Sequence, residues 1–399
     1  MAHIRSFTVV NLAGRGGRVH QVLDRHVNVF WGLNGTGKTT LLKILDAALA
    51  NETDGLETLP FDSAEVVFYA DQWDAYIRRT FQQVHATDAD DLDDEILFEL
   101  LESQEIEVQR EMRGIARESG EWVTQIIRGE LPARAHEQYY SHSYLPISRV
   151  VDPRGRNRYR DPYPPSAQAV GRPSPDRSFV QQVRQVWGSY VARSNAQIRA
   201  VQQQGLASVL ATLFGGASGA GVERADVVGP GEAYEVVTRF LREQELVLRV
   251  GRADFLKRYD ESAENRMVVS QIQEVYERVE AILAPQLELQ AVIDEMYLGN
   301  KHLVLSQRAD ALQVMLADKQ IPLASLSSGE KQLLQVLLAV LAVGGSTVMI
   351  DEPELSLHVD WQQRLVASMR RINPRAQLLL ATHSPEVMVD VPEEHVFEL

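Results

Sequence analysis

Eight residues near the start of the chain, Gly32-Leu33-Asn34-Gly35-Thr36-Gly37-Lys38-Thr39, constrain its fold more than anything else in the sequence. They fit the pattern GxxxxGK[ST], with an apolar run before them (27–31) and a helix-spaced run after them (39–49), the strand and helix that the pattern requires. By composition alone such a string arises in roughly one chain in a hundred of this length, and the flanking elements make chance rarer still. Glycines in such a loop let backbone N–H groups converge on phosphate oxygens, and the helix start adds partial positive charge. Lys38 would reach the β- and γ-phosphates of a nucleotide and Thr39 would offer a hydroxyl to Mg²⁺, with Asn34, Gly35, Thr36, Gly37 and Thr40 completing the cradle.

The far end of the chain supplies acids. Val348-Met349-Ile350-Asp351-Glu352 reads as a buried strand ending in two carboxylates. Beside a phosphate loop, Asp351 would hold the metal shell and Glu352 would orient or deprotonate a water; alone, the pair would be a solvated turn. Leu326-Ser327-Ser328-Gly329-Glu330 opens an apolar helix. Taken alone it is a capping sequence, but here Ser327, Ser328, Gly329 and Glu330 are candidates for a second anion site. Thr382-His383-Ser384 follows the apolar run 377–381, which places His383 at the C-terminal edge of a sheet, where ligands bind in open α/β folds. The uncharged run 333–350 matches a membrane span in length, yet Gly344-Gly345-Ser346-Thr347 divides it into an apolar helix and a β-branched strand.

Lys+Arg number 40 against Asp+Glu 55, a net charge of -15, which excludes a protein that coats nucleic acid by bulk charge. With 45% hydrophobic and 24% charged residues the chain can bury a large core. The absence of cysteine excludes disulfides, a thiol nucleophile and zinc-cysteine sites; with no apolar leader at the N-terminus, a cytoplasmic location is expected. The expected organisation is an N-terminal lobe over 1–75, an inserted, mostly helical region over 76–295, and a C-terminal lobe over 296–399.

Within it, strands are expected at 4–10 and 64–69, the second leading into helical sequence, and at 144–149, 303–305 and 312–316. Helices are expected over an acidic stretch free of Lys and Arg (88–107), over 112–128, from Pro175 to about Phe214, from Glu232, from Ala253, and over a stretch carrying Val268 to Ile282 that Pro285 stops. Between 150 and 177 the charge reverses in a loop carrying Arg154, Arg156, Arg158, Arg160, Arg172 and Arg177, and 215–221 is a glycine-rich break.

The ordered motif set resembles the ABC-type ATPases in their non-transporter branch: GLNGTGKT as Walker A, LSSGEKQ as the signature, VMIDEPE as Walker B and LLLATHSPE, with His383, as the H-loop. The run from Asp351 to His358, followed by Trp361-Gln362, is similar to the OLD/RecF-like AAA family ATPases of bacteria. The likeness spans 1–50 and about 295–399, with a looser echo at 144–149. It implies an α/β P-loop ABC-type head with a mixed sheet and an inserted helical domain, ATP and Mg²⁺ as ligands, and hydrolysis of ATP to ADP and phosphate. It further implies a homodimer in which Ser327 and Gly329 of one protomer complete the γ-phosphate site of the other, with Glu352 and His383 catalytic and Thr39 and Asp351 on the metal.

Two departures count against a transporter: His358 stands at the position of the D-loop aspartate, where it is either functional or a packed structural histidine, and Glu330 replaces the transporter glutamine. Gln72 and Arg149 are the candidates for the Q-loop residue. OLD proteins carry a Toprim-type nuclease domain beyond this point, so the resemblance implies a separate effector, a nuclease or toxin, as in anti-phage systems of the Septu and PARIS types. The alternative is a RecF-like DNA-repair or end-processing ATPase that binds duplex through Arg154, Arg156, Arg158 and Arg160.

Overall fold

The computed structural model describes residues 2–83, 120–129, 138–146, 175–215, 228–243, 249–297, 299, 301–305 and 312–399. Its first elements are β1 (Ala2–Val10), β2 (Arg18–Val22), β3 (Val27–Trp31), α1 (Lys38–Ala50), β4 (Ser63–Ala70), β5 (Ala75–Gln82), β6 (Val123–Arg128) and β7 (Ser143–Leu145). The helices α2 (Pro175–Gly215), α3 (Pro230–Glu243), α4 (Arg252–Glu261) and α5 (Ala263–Met296) follow. The chain then forms β8 (Lys301–Leu305), β9 (Leu312–Leu316), β10 (Lys319–Ile321), α6 (Ser328–Ala342), β11 (Thr347–Asp351), α7 (Val359–Ile372), β12 (Gln377–Thr382) and β13 (Val396–Glu398).

Strand directions are sorted between sheets. One is antiparallel, in the order β2-β1-β4-β5-β6; another is parallel, in the order β13-β3-β12-β11-β7; β10, β9 and β8 form a third. The apolar helix α1 lies with the first two in one core, in which Phe7, Phe30, Leu41, Ile44, Leu45, Phe68, Met349 and Leu379 are all buried. Gln377, fully buried, ties the two sheets together: its amide nitrogen donates to Ile4 O (2.7 Å) and Asp24 O (2.8 Å), and its oxygen accepts from Ile4 N (2.8 Å) and Thr347 Oγ1 (2.9 Å). A fully satisfied buried amide of this kind fixes one register where apolar contacts alone would tolerate several.

Several elements differ from expectation for identifiable reasons. The sequence after β4 is a strand, β5, reached through a tight turn at 71–74, rather than a helix. Its inward set is Ala75, Ile77, Arg79 and Phe81, and the charge at the third position hides the period of two. Arg79 is fully buried because it closes the C-terminal end of α1, donating to Ala48 O (2.5 Å) and Leu49 O (3.3 Å), with its guanidinium against the Phe68 and Tyr140 rings. Burial lowers its pKa to about 10, so it stays charged at neutral pH. Residues 123–128 are the edge strand β6 instead of the end of a helix; an edge strand half open to solvent needs no apolar alternation.

Pro285 lies inside α5 instead of ending it. The hydrogen bond lost there is offset by the packing of Leu289, Val292, Ile293 and Met296, all buried in the next turns. The strand near 144 is present as β7, and α2 starts at Pro175 and ends at Gly215, as its cap and spacing predict. The acidic stretch 88–107, the arginines at 154, 156, 158, 160 and 172, Arg149 and the glycines of 216–221 lie outside the described residues.

The chain divides into two compact units. The first takes the described residues up to Val186, Leu289–Val304 and Gln313–Leu399. The second takes Trp187–Glu288 and Leu305–Leu312. In it α2 and α5 run antiparallel, Gly205 against Val275 and Thr212 bonded to Gln271, over a core of Val209, Ala233, Val236, Tyr259, Val269 and Ile272. The apolar run 333–350 is divided between α6 and β11, and among the described residues no helix is long and apolar enough to cross a membrane.

Candidate functional site

The parallel sheet fixes where the motifs emerge. Trp31 on β3 pairs with Thr382 on β12, and Ala381 pairs with Asp351 on β11. Gly32, Glu352 and His383 therefore leave the sheet side by side at its C-terminal edge, the side on which α1 begins. Leu145, the last residue of β7, pairs with Ile350, so the chain after β7 leaves at this same edge. Gln72 instead sits exposed in the β4–β5 turn of the antiparallel sheet. The other Q-loop candidate, Arg149, lies outside the described residues.

In the phosphate loop, Gly35 (φ 86°) and Gly37 (φ 101°) adopt left-handed conformations, and a Cβ at Gly37 would strike Leu12 at 2.9 Å. Gly32 is equally confined, by Leu399 O and Thr36. Lys38, 5% exposed, folds over the loop and donates to Gly32 O (2.7 Å) and Leu33 O (2.9 Å). Among the described residues its ammonium thus has these two carbonyls as its hydrogen-bond acceptors. Thr36, Gly37, Thr39 and Thr40 are half-buried around it, and Asn34 and Gly35 are exposed at the mouth.

Asp351 is almost fully buried, and among the described residues neither carboxylate oxygen completes a hydrogen bond, although the Thr39 hydroxyl lies beside it. Burial is the main cause that raises its pKa to about 6; Glu352 adds to the shift, while the neighbouring Thr39 hydroxyl and the Lys38 and Lys43 charges oppose it. A buried carboxylate with two open oxygens beside a hydroxyl is the donor set of a hard divalent cation, so these residues fit Mg²⁺. Glu352 takes a left-handed backbone (φ 47°), rare for a side chain of its size, held by its N–H to Ala381 O at 2.8 Å.

His383 presents Nδ1 to Glu354 Oε1 at 3.2 Å and to Glu352 Oε1 at 3.6 Å. Glu354, 5% exposed, also accepts from Thr382 Oγ1 (2.6 Å) and from His383 N (3.0 Å). Sequence reasoning missed Glu354; the signal was the third acid of DEPE, three residues beyond Asp351.

The signature stands at the start of α6, and its groups are largely satisfied internally. Ser327 caps the helix and accepts from Glu330 N (3.3 Å), while Glu330 Oε2 accepts from Ser327 N (2.8 Å), a complete capping box. The other oxygen of Glu330 pairs with Lys301 at 2.6 Å, another residue missed in the sequence. Although burial pushes the Glu330 pKa up, Lys301 and the Ser327 N–H and hydroxyl hold it below the usual range. Glu330, expected at the anion site, therefore turns inward. Gly329 lies so close to Ser356 O that a Cβ would stand 2.5 Å from it, and Lys331 pairs with Asp176 at 2.7 Å. His358 is exposed and caps α7 through the Asp360 N–H, which overturns the packed-histidine reading. Of the arginine-rich loop only Arg177 is described, in the first turn of α2.

Strand order thus brings a glycine-rich loop between β3 and α1, an acidic strand end and a histidine-bearing one together at one edge of the parallel sheet. Residues 257–390 match the family described as "AAA domain, putative AbiEii toxin, Type IV TA system". The chain is 34% identical over 90 residues to the "Retron Vc95 probable ATPase" of Vibrio cholerae serotype O1 biovar El Tor, a stretch covering 19% of this chain and 18% of that relative. Among solved structures it is similar to the Smc head domain with an extended coiled coil from Pyrococcus furiosus, bound to the C-terminal domain of ScpA (12% identity, TM-score 0.45, covering 97% of this chain and 91% of that one). It is likewise similar to the SMC head domain from Thermotoga maritima (12% identity, TM-score 0.38, covering 97% and 91%).

Proposed function

We propose that the chain binds ATP at residues 32–40 and hydrolyses it to ADP and phosphate in a head dimer, and that this cycle regulates a separate effector, a nuclease or toxin, in bacterial anti-phage defence. The observation that carries the enzymatic part is the convergence at one sheet edge of a glycine-turned phosphate loop, a buried carboxylate with two open oxygens, Glu352 and His383. The match to the family described as "AAA domain, putative AbiEii toxin, Type IV TA system" and the likeness to a retron's probable ATPase support the effector-linked role.

In this reading the loop N–H groups hold the β-phosphate, and Lys38 exchanges its carbonyl partners for phosphate oxygens. Thr39 and Asp351 hold Mg²⁺, which when bound neutralises charge on the β- and γ-phosphates. Glu352 aligns a water for attack on the γ-phosphorus and takes its proton, while the P–O bond to ADP breaks in line. Ser327 and the Gly329 backbone act on the nucleotide of the second protomer; Glu330 shapes that helix start from inside and does not touch phosphate.

Phosphate release by the wild type and by Glu352→Gln tests the enzymatic part. The variant is expected to bind ATP normally and to turn over roughly 100- to 1,000-fold more slowly, the usual cost of losing a general base; wild-type turnover in the variant overturns the assignment. For the biological role, mass spectrometry of natively purified complexes should find a nuclease or toxin. A recombination mediator with duplex DNA in its place selects the repair reading.

A further inference from the structure

Gln362 belongs to the string that carries the family likeness, yet nothing in the proposed reaction uses it. It stands in the first turn of α7, and that turn is well held. His358 O accepts from Trp361 N (2.9 Å) and Gln362 N (3.1 Å), and the Trp361 ring stacks on Tyr297 with centroids 6.3 Å apart. From there the Gln362 side chain reaches two loops at once. Its Nε2 donates to Leu357 O at 3.0 Å, with Glu354 O further off at 3.5 Å, and its Oε1 accepts from the Ser384 hydroxyl at 2.8 Å. Leu357 belongs to the segment that follows Glu352, and Ser384 to the H-loop directly after His383.

The ladder between β11 and β12 ends at the pair Asp351 and Ala381, so Glu352 and His383 both lie just past it. Beyond the bond from Glu352 N to Ala381 O (2.8 Å), side chains must set the distance between the two segments. Among the described residues two do so: Glu354, which accepts from Thr382 Oγ1 (2.6 Å) and His383 N (3.0 Å), and Gln362. An amide suits the second position and its acidic isostere does not. A carbonyl only accepts, so the end facing Leu357 O must be N–H, and the opposite end is then the oxygen that takes the Ser384 hydrogen. A glutamate there would set a carboxylate oxygen against the Leu357 carbonyl. The Ser384 hydroxyl also lies 2.7 Å from Glu386 Oε2, so its one hydrogen serves two acceptors, of which Glu386 is half-exposed and open to water.

We infer that Gln362 is a positioning residue of the active site: its amide latches the segment after β11 to the H-loop, and so holds Glu352 and His383 at the spacing that hydrolysis requires. The phosphate loop and α1 are not among the partners of its side chain. Capture of ATP therefore does not depend on the latch, whereas alignment of the attacking water does. A misplacement of about 1 Å at a reacting group costs roughly 100-fold in rate. The kinetic consequence rests on the ATPase reading; the latch itself rests on its hydrogen bonds alone.

Two measurements on the full chain test it. In steady-state kinetics Gln362→Glu, and Ser384→Ala from the other side of the latch, should each lower kcat roughly 10- to 100-fold while KM for ATP stays within about threefold, and the double variant should be little worse than either alone. Wild-type kcat in both variants, a KM that rises as kcat falls, or losses that multiply in the double variant refute it. Hydrogen exchange of the ATP-free protein, followed by mass spectrometry, reads the latch without chemistry. In both variants peptides covering 382–391 should exchange roughly 5- to 10-fold faster, the worth of one buried hydrogen bond, while those covering 32–50 keep the wild-type rate. Unchanged exchange in 382–391, or faster exchange throughout the chain in both variants, overturns the inference whether or not the protein hydrolyses ATP. Absence of hydrolysis by the wild type refutes the ATPase reading and leaves the exchange measurement to decide this one.

Discussion

The phosphate loop and the signature are both helix starts rich in small residues, yet they are built on opposite principles. At the phosphate loop the charged groups form no close ion pair among the described residues: Lys38 donates to two carbonyls, and both oxygens of Asp351 are buried without a completed hydrogen bond. At the signature the equivalent groups are paired at home, Ser327 with Glu330 and Glu330 with Lys301. The first arrangement stores electrostatic potential that a nucleotide and its cation relieve. The second is stable by itself and has only its remaining amides and the Ser327 hydroxyl to offer, which suits a surface that completes a site elsewhere. The difference teaches that similar local sequence can mark a primary site or an accessory one, and that the bonding of its acids tells them apart.

The largest effect that would sharpen this contrast is expected from Lys38→Ala. Removing the only cation of the loop should weaken ATP binding or turnover by about 100-fold or more, measured by equilibrium binding and phosphate release, with little change in Tm. Next, Ser327→Arg should leave ATP binding intact but abolish turnover, and mixing it with Lys38→Ala subunits should restore part of the activity at mixed sites. Failure to restore activity in proven mixed dimers would show a site complete within one protomer and break the comparison. At the level of stability, Glu330→Ala removes the capping box and strands Lys301, an expected loss of ~1–3 kcal/mol in denaturant unfolding, whereas Glu330→Gln keeps the box and loses only the charge pair. Equal losses in the two variants would mean that Lys301, not the cap, is the important partner.

The smallest effect concerns pH. Burial, with Arg25 and Arg5 adding to it, lowers the His3 pKa from 6.5 to about 4. Between those values the unfolded chain holds a proton that the folded one does not, so stability rises with pH across the window and falls as pH drops through 6.5 toward 4. His3→Gln should flatten that part of the stability profile by ~1–2 kcal/mol, the part-buried ring being discounted for solvent.

The site was legible where its residues form contiguous strings. Residues 32–39, Asp351-Glu352 and Thr382-His383 each carry their strand context with them, and the register of β3, β12 and β11 brings them to one edge. What was not legible depends on partners distant in the chain. Arg79 looks like a surface charge until the end of α1 is placed against it, and it disguises β5 as something other than a strand. Gln377 reads as the polar start of an apolar run, although it joins the two sheets through bonds to Ile4 and Asp24. Pro285 breaks helices locally, and only the packing of the following turn explains why α5 continues. Lys301 reveals its role only beside Glu330.

The contact of Gly329 with the backbone of Ser356 has a further meaning in a dimer of the proposed kind. Backbone rests on backbone there, with no side chain to act as a spring between the signature and the segment that begins at Glu352. In such a dimer each protomer's acids would serve one nucleotide and its signature the other, so this close backbone contact would link the two reaction centres mechanically. A displacement at either would then reach its twin, and the pair would behave as one counter that reads both sites or neither.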